Sequence, residues 1–80
     1  MCKLYSNDSK MYLAHIKIPT ARTDTNGYYR FYVIDGYRKL KKAWEKNTTF
    51  ILEQQDKEQI ISINGFPTSK HDSGIFRFLE

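Results

Sequence analysis

The stretch YYRFYVIDGYRKLKKAWEK, residues 28–46, decides the fold class. Its first seven residues are aromatic or β-branched apart from Arg30, the composition that suits a pleated strand. Tyr29, Phe31 and Val33 share one face of that strand, and Tyr28, Arg30, Tyr32 and Ile34 share the other. Residues 37–46 are good helix formers with no β-branched member. At ~100° per residue, Tyr37, Leu40, Ala43 and Trp44 fall on one arc, and Arg38, Lys39, Lys41, Lys42 and Lys46 fall on the opposite one with Glu45 among them. Asp35-Gly36 is either a tight hairpin turn or a helix start with Asp35 as its cap. The clean separation of the two arcs selects the helix, lying on a sheet with its basic face outward.

The pattern on either side supplies the sheet. Residues 11–18 alternate, with Tyr12, Ala14, Ile16 and Ile18 on one face and Met11, Leu13, His15 and Lys17 on the other, and Pro19 ends the run. The polar connection PTARTDTNG, residues 19–27, closes on Asn26-Gly27. Beyond the helix, TTFILEQ (48–54), QIISING (59–65) and IFRFLE (75–80) read as three more strands. The turn QDKE separates the first two and the loop FPTSKHDSG precedes the last. Residues 1–10 read as a loose, polar segment apart from Leu4 and Tyr5. The expected order is β-β-α-β-β-β, an α+β domain with an antiparallel or mixed sheet and one helix packed on one face. That order resembles the β-grasp layout, an analogy of element order alone.

Eighty residues make one domain, 1–80, with a small core. The aromatic fraction of 15% supplies large buried area per residue, and Tyr and Arg also suit interface hot spots. One cysteine, Cys2, permits no internal disulfide, which points to a reducing, cytoplasmic setting. No apolar run has signal-peptide or membrane-span length, so no membrane role is expected. The chain reads as a complete small gene product.

Residue chemistry argues against catalysis. His15 stands on the more polar face of a strand with no second group to orient it as a base. His71-Asp72 shares a loop, but sequence neighbours point apart and HDSG is also good turn chemistry. Structural zinc needs four Cys or His ligands at set spacings, which this chain lacks; TDTN, residues 23–26, is too short for a calcium loop; and the four glycines are isolated, so no phosphate loop exists. No metal, cofactor or enzymatic activity is expected.

The charge is more telling. The chain carries a net +4. Residues 30–46 hold Arg30, Arg38, Lys39, Lys41, Lys42 and Lys46 against Asp35 and Glu45, so the whole excess lies in that stretch. Only Glu45 is spaced to neutralise a helix cation, Lys41, and a face built for solubility has no need to crowd like charges. The expected binding surface is Tyr28, Arg30 and Tyr32 with Arg38, Lys39, Lys41, Lys42 and Lys46, and Arg22 as an outlying contact. A localised positive patch calls for an acidic partner. The first expectation is a stoichiometric inhibitor or adaptor that docks on an acidic protein or nucleoprotein. In size and single-domain make-up the chain resembles small phage and mobile-element anti-defence proteins, anti-CRISPR proteins included. The second is a low-specificity DNA or RNA binder whose cations meet phosphates and whose tyrosines stack on bases. It ranks below the first because no helix-turn-helix, zinc finger, RRM-type or KH-type sequence is present. An exposed sheet edge would also offer pairing with a partner strand or a second copy of the chain.

Overall fold

A computed structural model of the chain describes residues 2–19, 27–69 and 71–79. It is a closed antiparallel barrel of six strands with one helix: β1 Cys2–Ser6, β2 Tyr12–Lys17, β3 Tyr29–Asp35, α1 Tyr37–Lys46, β4 Thr49–Gln54, β5 Lys57–Gly65 and β6 Gly74–Phe78. The order around the barrel is β1-β2-β3-β6-β5-β4, and β4 pairs back with β1. Two three-stranded meanders are thus joined by the helix. The return of β4 to the side of β1 makes β4-β1-β2-β3 a Greek key.

This overturns the open α+β sheet and the β-grasp analogy. The correction begins at the N-terminal segment, which is a strand and not loose. Cys2 and Leu4 point inward while Lys3 is exposed, and β1 pairs with β2 on one side and β4 on the other. Without β1 the sheet would stay open; with it, every strand is flanked on both sides. Among the described strands none is left at a sheet edge.

The second closing seam, β3 with β6, depends on Gly74. A Cβ there would lie 2.6 Å from the ring of Phe31, so only glycine lets the two strands approach at that level. Inward side chains fill the barrel, with Phe31, Phe50 and Phe76 the largest of those fully buried.

The helix spans the residues that its periodicity predicts, but it does not lie on a sheet face. It runs across the end of the barrel where β1, β3 and β5 finish. Leu40 is fully buried, Trp44 Nε1 donates to the Ile63 carbonyl at the end of β5 (3.0 Å), and Tyr37 Oη donates to the Pro67 carbonyl (2.7 Å). Phe66 stacks on Trp44 at 5.2 Å between ring centres. A helix with only four apolar positions can plug a barrel end, whereas covering a six-stranded sheet takes a longer stripe. Asp35 does not cap it. Gly36 is the N-cap, at φ 87°, and no side chain bonds to the first turn.

Two irregularities in β2 pairing shape the surface next to the helix. Leu4 pairs with Ala14 and Tyr5 with Tyr12, so Leu13 has no partner on β1. Ile16 pairs with Val33 and His15 with Asp35, so Ile34 has no partner on β2. Each bulge breaks the period-2 alternation and re-aims side chains. Tyr12, expected on the face of Ala14 and Ile16, turns outward; Leu13 and Ala14 are both buried; Ile34 and Asp35 both face solvent.

Candidate functional site

A groove lies where these bulges meet the start of the helix. Its volume is about 440 Å³. Tyr12 and Leu13 come from β2, Ile34 and Asp35 from the end of β3, and Arg38 and Lys39 from the first helical turn. Gly36 allows this junction. A Cβ at that position would run into the Leu13 carbonyl oxygen and sit 2.9 Å from Ala14 Cα, so chain and helix can approach this closely only at glycine. Ile34 is 52% and Tyr12 38% exposed, so both present apolar surface to the groove.

The groove is also electrostatically lopsided. The first turn of α1 contains no acidic residue and no side-chain cap, yet it holds Arg38 and Lys39. Cations at the positive end of a helix oppose its dipole, each by roughly 0.3–1 kcal/mol when exposed. Lys46 in the last turn is placed favourably. Among the described residues the one ion pair is Lys10–Glu58 (3.0 Å), which involves no residue of this helix. Arg38, Lys39, Lys41, Lys42 and Lys46 are all exposed, and none of them lies within ion-pair distance of a carboxylate among the described residues.

The structure thus brings some of the residues expected from sequence together and separates others. Arg38 and Lys39 share the groove; Lys42 and Lys46 line a second depression of about 260 Å³ with Ser9 and Met11; Lys41 stands on the exposed helix surface. Arg30 and Tyr32 are exposed on β3, paired with Ile75 and Lys17 respectively, and neither lines the groove. Tyr28 is half-buried just ahead of β3. Arg22 and the segment 23–26 lie outside the described residues. Sequence reading missed Tyr12 and Ile34, the apolar half of the groove. A sheet-period reading assigns Tyr12 inward, and nothing in the local sequence marks the bulge that turns it out.

The structure places the residues weighed for catalysis apart from this groove. Asp72 accepts from Thr68 Oγ1 (2.8 Å), Thr68 N–H (3.3 Å) and Ser73 N–H (2.9 Å), bonds that hold its carboxyl below the usual range and tie Asp72 to Thr68. His71 is exposed, and its backbone N–H donates to Ser69 Oγ (3.3 Å). His15 sits between Lys3 of β1 and Asp35 of β3, and its buried Nε2 has no hydrogen-bond partner among the described residues. At the opposite end of the barrel, Cys2, Ile18, Tyr29, Gln54 and Phe78 line a shallow mouth of about 250 Å³, where the Cys2 thiol donates to Gln54 Oε1 (3.3 Å).

No helix among the described residues is long and apolar enough to cross a membrane. Comparison with protein-family models, with curated proteins and with solved structures found no match to this chain.

Proposed function

We propose that this chain is a small non-catalytic binding protein, a stoichiometric inhibitor or adaptor that docks on an acidic protein or nucleoprotein through the start of its helix and the groove beside it. One observation carries the reading: the first turn of α1 presents Arg38 and Lys39 with no cap and no acid, opening onto exposed Ile34 and Tyr12. A local rule of helix design is broken where the surface is also concave and presents apolar side chains, and such violations concentrate at functional sites. An acidic partner would relieve the repulsion, and the apolar side chains would supply contact area. The resemblance in size and make-up to phage and mobile-element anti-defence proteins supports inhibition of a nucleic-acid-handling target.

The test is a pull-down under nuclease treatment. The wild-type chain is expected to retain one stoichiometric protein partner, and the R38Q/K39Q variant to lose it while keeping its fold. A partner lost on nuclease treatment would refute the protein-directed reading. It would favour direct nucleic-acid binding, which the exposed Arg30 and Tyr32 on the outer face of β3 also suit. In that case log affinity for a generic oligonucleotide falls steeply with log salt, and the lysine variants flatten the slope.

A further inference from the structure

We infer that the groove takes an acidic segment of the partner protein that carries one bulky apolar side chain, seated against Ile34 and Tyr12, with a neighbouring carboxylate reaching Arg38 and Lys39. This rests on the protein-directed reading above and names the element that is recognised. The occupant follows from the lining. Two exposed apolar side chains line it, two cations with no ion pair among the described residues stand on the helix, and Asp35 stands at the end of β3. The volume of about 440 Å³ lies within the roughly 300–1,000 Å³ of pockets that bury small ligands, ample for one side chain.

Nucleic acid fits the lining less well. Phosphates would meet the cations and Tyr12 offers one stacking face, but Ile34 offers none, so the branched aliphatic side of the groove would go unused. A wholly acidic peptide would use the cations and leave the apolar side chains wet. Asp35 adds direction: a carboxylate is disfavoured on its side and falls toward the helix. The bulge at Ile34 therefore has a use that ladder pairing would deny it, since a regular partner on β2 would return Asp35 to the inward face.

The probe is a capped eight-residue peptide of mixed Asp and Glu with one central Phe, compared with the same peptide bearing Ala. Binding is read by amide chemical shifts and titration at ~50 mM salt, where electrostatic attraction is strong. The Phe peptide is expected to bind roughly tenfold tighter than the Ala peptide, the difference one buried aromatic anchor supports. Shifts should centre on Tyr12, Ile34, Gly36 and Arg38. Ile34→Thr keeps a β-branched, exposed strand residue and is expected to abolish the Phe preference, while Asp35→Asn tightens both peptides. Equal affinity for the two peptides, or a Phe preference that survives Ile34→Thr, overturns the anchor and leaves the reading of the basic helix as an acidic-partner site intact. Failure of both peptides to bind, with or without binding of a single-stranded oligonucleotide, overturns the anchor and the protein-directed reading together.

Discussion

Gly36 and Leu13 are in backbone contact: a single methyl group on Gly36 would strike the Leu13 carbonyl oxygen. This contact lets the helix leave β3 and turn across the barrel end, and it forms the inner wall of the groove. Gly36 also sits at φ 87°. Gly36→Ala combines left-handed strain with a clash against backbone, which cannot rotate away. It is expected to destabilise the fold by about 2 kcal/mol or more, read as a lower urea midpoint with an unchanged slope.

Trp44 ties the helix to the end of β5 through its indole N–H and to the following loop through Phe66. Trp44→Phe keeps a ring for the stack but leaves the Ile63 carbonyl without this donor. The expected loss is about 1–2 kcal/mol in equilibrium denaturation. Tyr37→Phe removes only the bond to Pro67 and should cost less, about 1 kcal/mol.

The β4–β5 hairpin turns on Gln55 and Asp56, both at positive φ (51° and 63°), between the paired residues Gln54 and Lys57. A two-residue turn of this type favours Asn-Gly. Gln55→Asn with Asp56→Gly is expected to raise stability by roughly 1 kcal/mol, seen as a higher melting temperature with unchanged barrel spectra.

Cys2 is buried at the open mouth of the barrel, and that burial pushes its thiol above the ordinary range. Attack on a disulfide reagent at pH 8 should be slow in the native protein and fast in urea. The linkage has a sign. The unfolded chain loses this proton first, so stability is intact below the ordinary thiol range and declines as pH rises through it. Cys2→Ala is expected to remove that alkaline decline.

Asp72 shows the opposite direction. Its bonds to Thr68 and Ser73 depress its pKa, so the stability it contributes through Thr68 is present above about pH 4 and is lost as pH falls through the folded value. A proton titration followed at the Thr68 and Ser73 amides should show a midpoint below that of a model aspartate. Thr68→Ala should move the midpoint up.

Local chemistry was fully legible. The helix, five of the six strands and the one-sided charge of α1 follow from periodicity and propensity within ten or so residues, and these need no distant contact to be read. β1 was missed because CKLYS offers only five residues of alternation next to a polar turn, too short a signal to outweigh its position at the chain start. Tertiary structure decided the rest. Closure depends on pairing Leu4 with Leu52 and Phe31 with Gly74, contacts between residues more than forty apart in sequence, which no local pattern encodes. The groove is further removed, since it exists because two bulges free Leu13 and Ile34 from the ladder and because the helix lands on a barrel end. The sequence by itself determined that this chain has a basic helix facing solvent. The closed barrel decided what lies beside it: Tyr12, turned outward next to Ile34 because ladder register, not residue type, fixes which way a strand side chain points.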